Sequence, residues 1–260
     1  MTTLRLALVA TALLVAACPT RIPRPDLSTL TSAQAVARVR AAAAKRERMV
    51  GTVKAKLPGL EGVVMSADLD VALQPPAMLS VAVRSFFEQP QQVLVTDGEI
   101  VTLYDATSGA PVFKRGPVDE RAVSRVLPIP LMPAEVIAVF LARPEGTRGR
   151  LVSVDDKAGT YDVWLEGAGV APCQLTVRGS DDGIVRWQHF RKDGRPSLDV
   201  RYADLRAVGD AVLPFRWSAR VMDTGQALDF VATDVTFNGP ALPIESFRLD
   251  PPANMPLGPL

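Results

Sequence analysis

The sequence predicts a mainly β protein with helices (α+β), built as a curved antiparallel half-barrel that an N-terminal helix and an inserted helical segment cover. The first observation is a long series of short segments in which apolar and polar residues alternate, separated by turn signals such as Asp97-Gly98. The second is an amphipathic helical pattern directly before this series. The third is a helical and proline-rich interruption near its middle. Consecutive strands joined by short turns favour a meander that curls into a barrel or half-barrel.

Residues 1–17 have the pattern of a bacterial lipoprotein signal peptide. An apolar run, Leu6–Val15, follows the cationic Arg5, and two small residues stand directly before Cys18. The run is shorter than the roughly 20 residues that a membrane-spanning helix needs. An ordinary secretory signal, cleaved within Ala16-Ala17, is the alternative interpretation. We predict that Cys18 is lipidated and becomes the new N-terminus, which anchors the chain to a membrane.

The rest of the chain is predicted to form one domain with irregular ends. Residues 18–31 contain three prolines and few large apolar side chains, which is typical of a flexible tether. Residues 32–250 are expected to form a single domain, because no repeat and no boundary signal interrupts them. Residues 251–260 are rich in proline and are expected to be irregular.

The charge balance excludes one class of partner. Of the 29 lysines and arginines only Arg5 lies in the signal peptide, which leaves 28 basic against 28 acidic side chains. A neutral chain has no overall electrostatic preference for nucleic acid or for an anionic membrane. We therefore expect no nucleic-acid partner and recognition of the partner through apolar contact. We also expect membrane attachment through the N-terminal lipid, and a monomer.

The segment between Ser32 and Met49 predicts the N-terminal helix. Val36, Val39 and Ala43 recur on one stripe, and basic side chains occupy the opposite side. Such a helix could lie on the membrane beside the anchor. It could also pack on the sheet with a solvated basic face, which is the favoured interpretation.

Alternation predicts strands on both sides of the interruption. They cover residues 53–56, 64–73, 79–84, 92–96 and 100–104, and then 151–155, 161–165, 174–178, 184–190, 198–202, 213–221 and 228–237.

The interruption predicts two helices joined by an extended link. Residues 119–127 have helical spacing, and the prolines of Leu127-Pro128-Ile129-Pro130-Leu131 favour extended backbone. Pro133 then begins a helix that runs to Leu141 and is apolar almost all round. A helix of this kind is buried on more than one side, so we expect it to cover the concave side of the curved sheet.

Catalytic chemistry has little support in the sequence. His189 is the single histidine, and no metal-ligand spacing, nucleophile elbow or phosphate-binding glycine loop is present. Cys173 is the one cysteine besides Cys18, which excludes a disulfide framework and favours a small thiol in the core. We predict a structural role for His189, no catalytic residue, no metal and no cofactor, and therefore a protein that is not an enzyme.

Several short motifs, in this order, resemble the LolA/LolB-like lipoprotein-localisation family, and its outer-membrane receptor LolB more closely. They are Met49-Val50-Gly51-Thr52-Val53 after the first helix, Leu127-Pro128-Ile129-Pro130-Leu131 before the second, Leu213-Pro214-Phe215-Arg216, and the pair Phe237-Asn238-Gly239-Pro240 and Phe247-Arg248-Leu249. The family's tryptophan in the second helix is replaced here by Val139-Phe140. The resemblance implies a half-barrel whose helices cover an apolar cavity for the acyl chains of lipoproteins.

The resemblance also implies a site, a route and a location. Candidate residues lining the cavity are Val81, Val83, Val93, Val95, Ile137, Phe140 and Leu141. A membrane-directed loop would contain Phe86 and Phe87, since adjacent strand residues point to opposite faces unless the chain turns there. In the alternative, both phenylalanines fold into the core. The protein would face the periplasm from the outer membrane, accept acylated lipoproteins from a soluble LolA-type carrier, and release them into that membrane.

Two other functions stay open on the sequence alone. A non-enzymatic envelope interaction or hydrophobic-ligand-binding module with the same fold is the main alternative, and a hydrolase of envelope lipid or glycan is the weaker one. A continuous apolar cavity of roughly a few hundred cubic ångströms, open to solvent, would favour ligand carriage. A filled core would favour the interaction module.

Overall fold

A computed structural model describes residues 26–58, 64–84, 89–107, 110–119, 121–129, 131–167, 170–253 and 255–260 of this chain. Their main feature is one open, curved sheet of 14 strands, flanked by two α-helices. The strand order is β14-β6-β5-β4-β3-β2-β1-β13-β12-β11-β10-β9-β8-β7. Neighbouring strands are antiparallel, apart from β14, which runs parallel to β6. The predicted fold class is confirmed, and the sheet does not close into a barrel.

The helices and strands have the following bounds. The first half contains α1 Ser32–Ala44, β1 Met49–Pro58, β2 Val64–Gln74, β3 Met78–Arg84, β4 Pro90–Thr96, β5 Ile100–Asp105 and β6 Val112–Pro117. A 3₁₀ turn, Val123–Arg125, and α2 Pro133–Phe140 follow. The second half contains β7 Arg148–Asp155, β8 Thr160–Gly167, β9 Val170–Arg178, β10 Gly183–Phe190, β11 Pro196–Val208, β12 Ala211–Val221, β13 Ala227–Phe237, a 3₁₀ turn Ile244–Phe247 and β14 Leu257–Pro259.

Helix α1 packs on the sheet through its predicted apolar stripe. Thr31 caps the helix reciprocally with Gln34, whose side chain accepts from the Thr31 amide at 2.9 Å. The predicted stripe is buried, together with Ala35, against β7 and β8. This contact agrees with the interpretation that the helix packs on the sheet. Neither helix of the described chain is long and apolar enough to cross a membrane.

A bulge and a glycine bend the centre of the sheet. The register between β1 and β13 shifts between Thr52 and Val53, and such a bulge increases local bending and twist. One residue earlier, Gly51 has φ +142°, and a Cβ atom there would lie 2.0 Å from the carbonyl oxygen of Asp234. Only glycine tolerates both the backbone angle and the close approach of β13.

The interruption crosses the sheet from one side to the other. Strand β6 lies next to one edge and β7 forms the opposite edge, so residues 118–147 must span the sheet to join them. This path places α2 over the sheet, and the helix begins at Pro133 as predicted. The predicted helix over residues 119–127 is wrong, because only the 3₁₀ turn forms before Pro128 ends the helical backbone.

The chain also forms two strands that the alternation pattern did not predict. Strand β6 has Lys114 and Arg115 directly after its buried Phe113, which weakens the pattern. Strand β14 lies in the tail that was predicted to be irregular. The tail pairs with β6 because the amide of Leu260 donates to the carbonyl of Arg115 at 3.2 Å, and its side chain packs over the open position of Gly116.

Candidate functional site

The two faces of the sheet have different surroundings, and we name them by what lies on them. The covered face is the one on which α2 packs, and it carries Val53, Leu69, Val71, Trp217 and Phe230. These side chains are all buried and belong to one hydrophobic core. The opposite face, called the open face below, carries the alternate residues of the same strands.

Helix α2 fills the covered face with apolar side chains. The Phe140 ring lies 4.9 Å from the Trp217 ring and 5.2 Å from the Phe230 ring. Edge-to-face and tilted arrangements at these separations are favourable for aromatic pairs. Ile137, Phe140 and Leu141 are at most 1% exposed. The predicted covering helix therefore lies where we expected it, with its side chains occupying the apolar face.

Two polar contacts hold α2 at its C-terminal end. The Tyr202 hydroxyl donates to the carbonyl of Val139 at 2.7 Å. The guanidinium of Arg46, which lies just after α1, donates to the carbonyl of Ala142 and, at 3.2 Å, to that of Asp182. Arg46 is 1% exposed, and burial lowers its pKa to about 10, so the side chain remains charged at neutral pH. Helix α2 is thus fixed to both α1 and the second half of the sheet.

The predicted cavity residues of β3 and β4 do not share a face. Val81 is buried on the covered face, and Val83 packs against the same core. The register pairs Val93 with Ala82 and Val95 with Ser80, so Val93 and Val95 point to the open face. Cross-strand partners point the same way and alternate residues point oppositely, which makes the joint assignment of these four valines to one cavity wrong.

Three predicted functional residues lie outside the described residues. They are the lipidation site Cys18 and the loop residues Phe86 and Phe87. Their roles stay predictions.

Cys173 and His189 lie opposite each other on β9 and β10, inside the core. The His189 ring stacks on the Trp187 ring, with centroids 5.0 Å apart and planes 4° apart. Neither ring nitrogen of His189 has a hydrogen-bond partner among the described residues. Burial lowers the pKa of His189 to about 4 and raises the pKa of Cys173 to about 12. Both side chains are therefore neutral at pH 7.

The described residues do not bring metal ligands together. No group of three histidine, cysteine, aspartate or glutamate side chains among them is placed to hold a metal ion.

The open face contains a groove that the sequence analysis missed. Its volume is about 770 Å³, and it lies across the five strands β2, β1, β13, β12 and β11 and the end of β3. This volume is in the range of small-molecule sites. Its lining consists of Lys54, Ala55, Lys56, Ser66, Ala67, Asp68, Arg84, Arg201, Ala203, Arg216, Trp217, Ser218, Asp229 and Val231.

The side chains of the groove form two rows that run across the strands. The pairing register gives the first row, Ser66, Lys56, Asp229, Ser218 and Arg201. The second row is Arg84, Asp68, Lys54, Val231, Arg216 and Ala203. Within a row, neighbouring residues are about 5 Å apart, which is the spacing between strands. Five basic and two acidic side chains thus meet in one concavity.

A sequence signal for this groove exists, but it is incomplete. Basic residues occupy outward positions at Lys54-x-Lys56 and at Arg216, yet β1 and β12 are separated by more than 150 residues of sequence. The pairing of β1 with β13 brings Lys54 and Lys56 to the same part of the sheet as the cations of β11 and β12.

Solved structures of proteins from three bacteria have a fold similar to that of this chain. A LolA-superfamily protein from Nitrosomonas europaea matches with a TM-score of 0.57 and 15% identity, over 85% of this chain and 99% of that chain. A proposed outer-membrane lipoprotein-sorting domain from Vibrio parahaemolyticus gives 0.56 and 8%, over 83% and 95%. A DUF1329-family protein from Desulfovibrio piger gives 0.58 and 8%, over 82% and 94%. No family model and no curated protein matches the sequence. The chain has a LolA-like fold.

Proposed function

We propose that this chain is a lipid-anchored envelope protein that binds the acyl chains of lipoproteins between α2 and the covered face and passes them into the outer membrane. The observation that carries the proposal is α2 itself, an almost wholly apolar helix that lies across the apolar face of a LolA-like sheet. An apolar ligand can replace the side chains of a helix in this position, because the ligand and the helix bury the same apolar surface of the sheet.

The energetics permit such an exchange. At about 0.8 kcal/mol per buried CH₂ group, an acyl chain of about 16 carbons gains roughly 12 kcal/mol on burial. Withdrawal of Ile137, Phe140 and Leu141 from the core costs about 1.5–3 kcal/mol per side chain. The ligand gain therefore exceeds the cost for these three side chains, although α2 must also release its contacts with Tyr202 and Arg46. No bond is made or broken, and the direction of transfer follows the difference in affinity for the acyl chains.

The predicted anchor assigns the protein to the receptor end of this route. Lipidation at Cys18 would prevent diffusion across the periplasm, whereas a shuttle must diffuse. The residue that follows Cys18 is Pro19 and not aspartate. By resemblance to the enterobacterial sorting rule, this residue is compatible with sorting to the outer membrane. The soluble LolA-type carrier would deliver the cargo, and Phe86 and Phe87 would direct it into the membrane.

Tryptophan quenching by brominated acyl chains tests whether the ligand reaches the covered face. The chain has three tryptophans, and Trp217 touches α2 while Trp164 lies on the open face between the buried Val163 and Leu165. A variant that keeps only Trp217 is expected to lose fluorescence when a brominated fatty acid binds. The matched variant that keeps only Trp164 is expected to lose little. Binding without quenching of Trp217, or equal quenching of both variants, would contradict the proposed site.

A filled covered face is the observation that favours the second candidate function, a non-enzymatic interaction module. The described α2 side chains already occupy the apolar face, so the core is packed without a ligand. In that case acyl chains neither bind nor quench Trp217, and mass spectrometry of the purified protein finds no stoichiometric lipid. Co-purified acylated lipoprotein would support the first function over the second.

A further inference from the structure

The groove on the open face has the charge pattern of an anion-binding site. The pairing register places Lys54 and Lys56 on β1, Arg216 on β12 and Arg201 on β11. The two acids of the groove do not neutralise this set. Lys54 lies 3.9 Å from Asp68, which it can pair with, and Arg84 lies 3.2 Å from Asp70 just beyond the groove. Three cations remain, namely Lys56, Arg201 and Arg216.

These three cations form no ion pair with any residue of the described chain. Asp229 lies beside Lys56 in the same row, but their charged groups are not within ion-pairing distance. Arg216 acts on Asp204 only weakly, since the lowered pKa of Asp204 is due first to the side-chain hydrogen bond from Arg206. All three side chains are exposed to solvent within the groove. Their charges are therefore available to an anionic ligand.

The two arginines are placed to bind one anion together. Arg216 pairs with Ala203, so Arg201 is its diagonal neighbour on β11. Diagonal neighbours lie about 7–8 Å apart, and long side chains bridge that distance. Two guanidinium groups can then hold a phosphate through paired N–H donors. Lys56 lies three strands from Arg201, or about 14 Å away, at the far side of the groove.

Between the arginines and the lysines the two rows of the groove differ, because Val231 is apolar whereas Asp229 and Ser218, which lie between Lys56 and Arg201, are polar. Val231 separates Arg216 from Lys54 in one row, and Ala203 ends the same row. A purely polar anion would leave these residues without a favourable contact. An amphiphile, with a phosphate beside carbon atoms, fits both parts of the lining.

We infer that this groove binds the phosphate-bearing headgroup of an anionic phospholipid, with the phosphate held by Arg201 and Arg216 and the adjoining carbons over Val231. The inference rests on the proposed membrane location in one respect, because an anchor at Cys18 would keep the groove near such headgroups. It adds a second lipid-binding surface, on the opposite side of the sheet from α2.

Calorimetric titration with monomeric lipids tests the inference. The protein is the full chain carrying Cys18→Ser, which cannot be acylated, and the probe is dihexanoyl phosphatidylglycerol. Binding is expected to be at least tenfold tighter than for dihexanoyl phosphatidylcholine, whose headgroup has no net charge. It should weaken as salt is raised, because the groove is open to solvent. Equal affinity for the two lipids would overturn the inference.

A matched pair of double variants separates the groove from overall charge. Arg201→Gln with Arg216→Gln is expected to weaken phosphatidylglycerol binding at least tenfold. Arg121→Gln with Arg148→Gln removes the same charge from exposed positions outside the groove and is expected to change it less than twofold. An unchanged affinity in the groove variant would overturn the inference.

Two further titrations identify the occupant. Inorganic phosphate, or an acidic peptide, that binds as tightly as phosphatidylglycerol would overturn a lipid as the occupant. The anchor does not enter these measurements, and any binding of hexanoyl chains to the covered face is common to the two phospholipids and is not altered by the groove substitutions. Because Trp217 also lines the groove, its quenching by a brominated fatty acid supports the covered face only when it persists in the variant with Arg201→Gln and Arg216→Gln. Loss of phosphatidylglycerol binding in that variant, with quenching retained, separates the two sites.

Discussion

His189 should make the protein less stable in mild acid, and by an amount that the structure predicts. The imidazole is 4% exposed, and its nitrogens have no partner among the described residues. Burial lowers its pKa from 6.5 to about 4. One pKa unit corresponds to about 1.4 kcal/mol, so the folded state loses about 3 kcal/mol relative to the unfolded state once the site is protonated.

The sign of the effect follows from proton binding. Between pH 6.5 and about 4 the unfolded chain protonates His189 while the folded chain does not, so the free energy of unfolding falls as the pH falls through this window. The contribution is complete above pH 6.5 and is lost below about 4. Since His189 is the only histidine in the chain, no other imidazole titrates in the same window.

Urea unfolding of the wild type and of His189→Leu, followed by circular dichroism at pH 7, 6, 5 and 4, measures this contribution. At pH 7 the variant should lie within about 1 kcal/mol of the wild type, because it removes polar atoms that have no described partner. Between pH 7 and 4 the wild type should lose about 3 kcal/mol more than the variant. The carboxylates titrate alike in both proteins and cancel in the difference. Parallel loss of stability in the two proteins would refute the reasoning.

Three further substitutions test the bend in the sheet and the attachment of α2. Gly51→Ala should destabilise the protein by more than about 3 kcal/mol, because its Cβ would lie 2.0 Å from a carbonyl oxygen. Gly194→Ala is the control, since Gly194 has a positive φ but open space around it, and it should cost about 1 kcal/mol. Similar losses of unfolding free energy for the two variants in urea would contradict this expectation. Arg46→Met should lower the free energy of unfolding by about 3 kcal/mol and speed amide hydrogen exchange in α2. Arg40→Met, at an exposed position, is the control and should change neither. Unchanged hydrogen exchange in the Arg46 variant would argue against the proposed attachment. Tyr202→Phe should cost about 1 kcal/mol through the lost bond to Val139, and no measurable change in unfolding would mean that this bond does not hold α2.

Local patterns were sufficient for several elements. The capped apolar stripe predicted α1, the proline at the first helical position predicted the start of α2, and alternation predicted most strands. The prediction failed over residues 119–127, where helical spacing was present but Pro128 limited the helix to a 3₁₀ turn. It also missed β6 and β14, which form because neighbouring strands supply their hydrogen bonds.

The site was harder to predict than the fold. Alternation assigns each residue to one of two faces within its own strand, but it does not say which face of the next strand matches it. Val81 and Val93 look equivalent in the sequence, yet the register places them on opposite faces. For the same reason the groove could not be predicted from the sequence, because its cations come from β1, β3, β11 and β12 and share no local pattern.

By itself the sequence determined the properties that depend on neighbours along the chain. These are the positions of α1 and α2, the β character of the rest, and an overall charge balance close to neutral. The lipoprotein signal over residues 1–17, with lipidation at Cys18, is a prediction of the same local kind. The tertiary structure decided how the faces are occupied. Pairing of β1 with β13 joined the central strands of the two halves of the chain and concentrated positive charge on the open face of a nearly neutral protein. Register and long-range pairing depend on contacts between distant residues, and no local periodicity encodes them.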